Sequence, residues 1–302
     1  MNLEREDLAT LRLLEARGRF ARDAELAKAG LAHDRFEESL ERLTASRVIE
    51  GFRVTVAPPP LIGGDWVLGA LLGISNDPLG VANLLVKRLP FVSEIIFNSG
   101  LPEGLGPNLT LLFYSRDFDT EARFIQNTPG LSYQEVYRVK EFSFPVALPI
   151  SSEERALIRA LVKSPKAGLA ELGAALGQTP DWVRTKLDRL LWNEGNSQGL
   201  LRIQPEVNWA SVANFGHFHF LVETGHRPDQ LRRLVSADSF ELVLGGKPFH
   251  NRYVQLEADV WGIGELMNKV MFLNRLAGVR VAGVLWNREA RVNTAWVIDL
   301  VG

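Results

Sequence analysis

The chain has 302 residues, 46% hydrophobic and 23% charged, with a formal net charge of −2; length and balance predict a globular protein of more than one domain. Near-neutral charge excludes recognition of nucleic acid by bulk attraction, so any such site has to be a local patch. Cysteine is absent, which excludes disulfides, thiolate metal sites and cysteine nucleophiles. No apolar run has the length of a membrane span and none heads a signal peptide, so the expected location is the cytoplasm.

In chain order, a helical pattern carried by Leu8, Leu11 and Leu14 opens the sequence, followed by helices over 24–29 and 34–46. "VIEGFRVTV" (48–56) has apolar residues near period two and predicts a small hairpin or wing. "APPPLIGGD" (57–65) breaks the pattern and marks a boundary. Beyond it the order is strand 66–74, helix 79–89, strand 91–99, a loop, strand 109–115, helix 120–127 and strand 131–139. That βαββαβ order is the ferredoxin-like arrangement, an antiparallel sheet with both helices on one face. The segment 145–154 is a linker, and Ser151 or Ser152 is placed to cap the next helix.

The second half repeats the first. "ELAKAGLAHDRFEESLERL" (25–43) matches "ELGAALGQTPDWVRTKLDRL" (171–190), so that Phe36, Leu40 and Leu43 stand opposite Val183, Leu187 and Leu190. The i, i+4, i+7 spacing marks one buried stripe on each helix. "EARFIQNTPGLSYQEVYRV" (121–139) likewise matches "MNKVMFLNRLAGVRVAGVL" (267–285), aligning Phe124 with Phe272 and Gly130 with Gly278. Strands are predicted at 215–223, 239–245, 251–259 and 279–287, with helices at 229–236 and 264–276. The end of the chain, with Trp286 and Trp296, is read as the last strand plus a terminal strand, its tryptophans packed inside. The fold class is therefore α+β: a winged helix-turn-helix and a βαββαβ domain, the pair duplicated. The domains are 1–64, 65–148, 149–211 and 212–302.

This organisation resembles the Lrp/AsnC (leucine-responsive / feast-famine) regulators over nearly the whole chain, twice. The first copy keeps Glu25, Leu26, Ala27, Gly30, Arg42-Leu43 and Val48-Ile49 of that family's motif; the second keeps Glu171, Leu172, Gly177, Thr179-Pro180 and Arg189-Leu190. The first has His33-Asp34 in place of the Ser/Thr-Pro cap, and the second has a longer entry to its wing. The resemblance implies a DNA-binding transcription regulator and not an enzyme, with no cofactor, binding duplex DNA. It also implies βαββαβ (RAM-type) domains that pair through their sheets and bind small effectors such as amino acids. A doubled chain then forms an internal pseudo-dimer that associates further into homo-oligomers.

On the second recognition helix, Thr179 suits the N-cap and Pro180 the first turn. Burying Val183, Leu187 and Leu190 leaves Arg184, Thr185, Lys186 and Arg189 outward to meet phosphates and base edges, with Arg202, Lys163 and Lys166 in flanking positions. The first copy places Glu37, Glu38, Ser39 and Glu41 at matching positions, a face that repels phosphate, so DNA contact is expected mainly from the second module.

The resemblance puts effectors at the loops 98–108 and 245–251, which makes Ser99, Gly100, Gly245 and Gly246 candidates with backbone N–H groups for a carboxylate. Neither loop carries the family's Asp. His217 and His219 share one sheet face by period two and join His250 as effector candidates; a metal site needs a third ligand, which the sequence does not place, and no metal is expected. A second reading is a sirohaem decarboxylase, an enzyme sharing this two-domain fold. For it His217, His219, His250, Arg252 and Tyr253 are the residue types that hold tetrapyrrole carboxylates, although that group's Tyr-Asn-x-Trp-like strand is not found. A third reading is an interaction protein with two degenerate DNA modules.

Overall fold

The computed structural model describes the chain except for residues 102–106, 145–148, 192–199, 237–239, 245–247, 250–253 and 302. It is a mixed α/β structure whose elements follow in two rounds of similar but not identical order. The first round is α1 (Arg5–Arg17), α2 (Asp23–Lys28), α3 (His33–Ala45), β1 (Ile49–Val56), a short α4 (Pro58–Ile62), β2 (Gly64–Ser75), α5 (Pro78–Arg88), β3 (Val92–Leu101), β4 (Leu109–Ser115), α6 (Phe118–Gln126) and β5 (Leu131–Phe144). The second is α7 (Ser152–Lys163), α8 (Leu169–Leu176), α9 (Pro180–Leu190), β6 (Leu201–Val207), β7 (Gly216–Thr224), α10 (Pro228–Val235), β8 (Glu241–Leu244), β9 (Pro248–Phe249), β10 (Val254–Val260), α11 (Gly262–Arg275), β11 (Val279–Val292) and α12 (Ala295–Val301).

The helical stripes are where the spacing put them. Phe36, Leu40 and Leu43 on α3 are buried, as are Val183, Leu187 and Leu190 on α9. Ser151 caps α7 in a capping box with Glu154. Thr179 caps α9, its hydroxyl accepting from the Trp182 N–H at 3.2 Å, with Pro180 in the first turn. The turn between α8 and α9 is made at Gly177, whose φ of 65° lies in the left-handed region that glycine enters without a Cβ clash.

Three expectations are corrected. The segment 48–56 is not a hairpin: it is the single strand β1, and its antiparallel partner is β6 of the other helical set. Period two signals a strand but not whose edge it completes. Each first helix also crosses over, α1 packing on β6 and α7 on β1. Gly18 permits this approach, because a Cβ there would meet Ile203 at 3.0 Å. The two helical sets therefore share one hydrophobic core, from Leu11 and Leu14 through Leu157 and Leu161 to Val183 and Leu187. Second, 58–62 is helical; Pro58 and its neighbours occupy a first turn, where their missing N–H groups cost nothing. Third, the chain ends in a helix. Trp296 of α12 is buried against the shared core and donates its indole N–H to the Val92 carbonyl at 2.8 Å.

The remaining strands form one sheet in the order β8-β10-β7-β11-β3-β4-β2-β5-β9, antiparallel throughout. Each half has the strand order of a βαββαβ unit, and the halves join where β11 pairs with β3. At the far edge β9, which lies in the chain between β8 and β10, pairs with β5 of the other half, so the sheet folds back on itself. Ala70, Leu72 and Tyr137 of one half then pack against Leu221 and Leu285 of the other. The outer faces are covered by α5 and α6 on one half, around Leu71, Phe113 and Ile125, and by α10 and α11 on the other, around Phe220, Leu231 and Leu273.

Candidate functional site

Helix α9 displays part of the predicted DNA face. Thr185 is exposed and Arg184 is half-buried, while the Thr185 hydroxyl turns back onto the Asp181 carbonyl at 2.9 Å. Lys186 and Arg189 are committed within the fold. Glu154, in the first turn of α7, has no accessible surface and receives Lys186 at 3.2 Å together with the Arg189 guanidinium. Arg189 also donates to the Pro149 carbonyl at 2.7 Å. The first helical set holds the same device: buried Asp7 of α1 takes Arg42 of α3 at 2.6 Å and the Ser39 hydroxyl at 2.8 Å. Ser39, expected on the outward face, is therefore interior. Asp188 pairs with Arg22 of the other set, and Lys166 donates to the Glu50 carbonyl at 3.1 Å. Lys163 is exposed at the end of α7. Arg202 lies on β6 in the electrostatic field of Tyr114 and Glu94 of the large sheet.

The effector candidates divide. Ser99 and Gly100 are strand residues of β3, in register with Trp286 and Leu285 of β11, so their backbones serve the sheet and not an open loop. Gly245, Gly246, His250, Arg252 and Tyr253 lie outside the described residues. His217 and His219 stand together on β7, on the face that carries Leu221 between the two sheet halves, while Phe220 and Val222 point to the helices.

Strand β10 completes a polar cluster beside these two rings. Its register sets Glu257 opposite His219 and Asp259 opposite His217. The His217 ring holds Asp259 through Nδ1 at 3.0 Å and lies with Nε2 3.5 Å from Glu257. Both ring nitrogens thus face carboxylates, an arrangement that calls for the doubly protonated imidazolium. Burial disfavours that charge, but the hydrogen bonds to Asp259 and Glu257 outweigh it and raise His217 to about 10. His219, 8% exposed, pairs through Nδ1 with the Gln255 amide. Burial, reinforced by the neighbouring His217 charge, lowers it to about 4. The two rings stand edge to face at 5.0 Å. Burial works to raise both carboxylates, yet the imidazolium holds Glu257 and Asp259 below their ordinary values, helped at Asp259 by Arg12.

Helix α1 closes the cluster from the helical layer. Arg12 reaches Asp259 at 2.6 Å, and Arg53 of β1 reaches Glu94 of β3 at 2.7 Å. Glu15 of α1 lies in the field of His217, Asp259 and Glu257, and desolvation raises its carboxyl. Burial pushes Tyr114 of β4 up to about 12, with Arg202 and Glu94 in its field. Trp209 lies over His217 with ring centroids 6.4 Å apart. The cluster therefore lies between α1 and the β7–β10 end of the sheet, where an imidazolium, a neutral imidazole, carboxylates and the Arg12 guanidinium meet.

Sequence reasoning found the histidines and missed Gln255, Glu257, Asp259, Arg12 and Glu15. The signal was the period-two row Gln-x-Glu-x-Asp in "VQLEADV", which needed only the strand pairing to bring it opposite the histidine row. Among the described residues one trio of metal-ligating type has its ligand atoms within 4.8 Å of one another, His217, His219 and Glu257. Glu257 is thus the residue of ligating type that strand pairing brings beside the two histidines.

No family model matches the sequence, and no curated protein matches it. Among solved structures, the chain is similar to the siroheme decarboxylase NirDL at 15% identity, over 94% of this chain and 91% of that one, with a TM-score of 0.48. The same enzyme in complex with an iron-uroporphyrin III analogue matches at 15% identity over 94% and 92%, TM-score 0.46. E. coli AsnC matches at 15% identity over 50% of this chain and 99% of that one, TM-score 0.29. The expectation that the chain is not an enzyme is corrected: solved structures matched along nearly its whole length are those of a decarboxylase, so an absence of enzyme activity has no support. Among the described residues no helix is long and apolar enough to cross a membrane.

Proposed function

We propose that this chain is an acid–base enzyme acting on a polycarboxylate at the polar cluster of β7 and β10, with a tetrapyrrole acid of the sirohaem kind as substrate. The doubled unit, winged helices at 1–64 and 149–211 and ferredoxin-like domains at 65–148 and 212–302, is the scaffold, and its two sheet halves act as an internal pseudo-dimer. The observation that carries this reading is His217 with both ring nitrogens on carboxylates, next to a buried, neutral His219. Paired groups whose surroundings drive their proton affinities apart are what general acid–base chemistry uses. Loss of CO2 from an acetate side chain leaves a carbon that must take up a proton: R–CH2–COO⁻ plus H⁺ gives R–CH3 plus CO2. His217 is the proton donor. Arg12, beside Asp259, offers charge-assisted hydrogen bonds to the substrate's other carboxylates. The test is to mix the protein with sirohaem, follow the absorption bands, and look for CO2 loss by mass spectrometry. His217→Gln is expected to keep the band shift and lose turnover. Unchanged bands and an unchanged mass with the parent protein would refute the reading.

A second reading, a DNA-binding regulator of Lrp/AsnC type, is favoured by one observation. Helix α9 keeps its Thr179 cap and leaves Thr185 exposed and Arg184 half-exposed on its outward side, the start of a groove-reading face. In that reading the same polar cluster holds an amino-acid-like effector and the chain forms homo-oligomers. A gel shift on duplex DNA at two salt concentrations decides it. Arg184→Ala should weaken binding and flatten the salt dependence; no shift at either salt concentration ends the DNA reading.

A further inference from the structure

We propose that His217, His219 and Glu257 form a binding site for one divalent transition-metal ion of the zinc or ferrous class. One ligand atom from each lies within 4.8 Å of the other two, close enough for modest side-chain rotation to bring all three to a common ion at about 2.0–2.2 Å. Two imidazoles and one carboxylate are the donor set of open zinc sites and of non-haem iron sites, which keep positions free for water or substrate.

Three further observations support the site. Metal-binding histidines are held by a partner on the other ring nitrogen, which fixes the tautomer and aims the ring. Both rings have one: Asp259 on Nδ1 of His217 and Gln255 on Nδ1 of His219. Gln255 carries the second observation. Its Oε1 is buried with no hydrogen-bond partner among the described residues. A half-turn of the amide brings that oxygen to Nδ1 as an acceptor for the ring N–H and leaves Nε2 of His219 as a lone-pair donor. Third, His217 Nε2 and a Glu257 oxygen face each other at 3.5 Å. A proton can lie between an imidazole nitrogen and a carboxylate, and so can a metal ion. The site stands on this geometry and not on the decarboxylase reading, and a bound ion and the His217 proton exclude each other there.

The test uses Zn²⁺ alone with the full chain and no substrate. Isothermal titration should show one ion per chain, and Co²⁺ in its place should give visible ligand-field bands. His219→Ala and Glu257→Gln should each weaken Zn²⁺ binding at least tenfold, and Asp259→Asn by about 10–100-fold through loss of ring orientation. Thermal melts without metal check that each variant is folded; Glu257→Gln, the same size as the parent, carries the result if His219→Ala does not fold. No saturable Zn²⁺ uptake, or undiminished affinity in the folded variants, would overturn the site. Because a bound ion displaces the His217 proton, sirohaem turnover is measured separately, on metal-free protein.

Discussion

Replacing Glu154 with Gln tests whether the cations of α9 are structural. The Glu154 carboxylate has no accessible surface, while Lys186 and Arg189 remain 28% and 45% exposed. An exposed pair contributes about 0.2–1 kcal/mol, and breaking a fully buried one costs about 3–5 kcal/mol. This network has one end inside and the other half in water, so the loss should be about 2–3 kcal/mol. Gln keeps an oxygen for the Ser151 N–H, which Glu154 accepts at 3.0 Å, so the capping box survives and the charge alone is removed. For a chain of this size the loss corresponds to a melting point lower by about 4–8 °C, which urea titration at neutral pH should match. The pH dependence has a definite sign. Burial raises the Glu154 carboxyl, but the hydrogen bonds from Arg189, the Ser151 N–H and Lys186 outweigh it and hold the group below its ordinary 4.5. A depressed folded value gives stability that is fully present above the unfolded value and is lost as pH falls through the folded one. The gap between parent and variant should therefore close on acidification below 4.5. Equal stability at neutral pH, or a gap that widens in acid, would refute the argument.

Leu187→Ala removes a side chain that is 1% exposed in the core shared by both helical sets. It should cost about 2–5 kcal/mol in urea denaturation, and a smaller loss would mean that α9 is not anchored through this stripe. Gly69→Ala puts a Cβ 2.5 Å from Phe113 Cζ and 2.8 Å from Phe118 Cε2, under two stacked rings. The ring pair has to shift, at about 1–3 kcal/mol. A lowered melting point with altered near-ultraviolet circular dichroism is expected, and an unchanged melt would place β2 differently beneath these rings.

The local order of elements was legible because it rests on local chemistry. The stripe through Val183, Leu187 and Leu190, the Thr179-Pro180 helix start and the Ser151 cap each depend on residues within a few positions of one another. What was not legible is long-range. Nothing in "VIEGFRVTV" says that its partner is "LRIQPEV" some 150 residues later, and nothing in β9 announces its pairing with β5. The site follows the same rule. His217 and His219 were visible as a pair by alternation along one strand. Their partners were invisible because the register of β10 decides whether Glu257 and Asp259 stand across from them. The reading of Lys186 and Arg189 as free cations failed to anticipate Glu154 for the same reason, since that acid comes from another helix.

Among the described residues the register sets one row of ionisable groups opposite the histidines, in the second half of the chain. In the second half His219 stands opposite Glu257, the fourth residue of the seven-residue strand β10. In the first half the fourth residue of β4, also seven long, is Leu112, and it stands opposite Ala70. Carrying the register along, His217 and His219 correspond to Leu68 and Ala70, while Gln255, Glu257 and Asp259 correspond to Thr110, Leu112 and Tyr114. At the matching positions the first half carries Leu68, Ala70 and Leu112 with Thr110 and Tyr114, and Ala70, Leu72 and Leu112 pack with Leu221 and Leu285 of the second half. The second half carries the ionisable groups, at the end of the sheet nearest α1. Any ligand recognised by the histidine row, metal ion or polycarboxylate, should therefore bind with a stoichiometry of one per chain. Two equivalent sites in a titration would contradict this asymmetry.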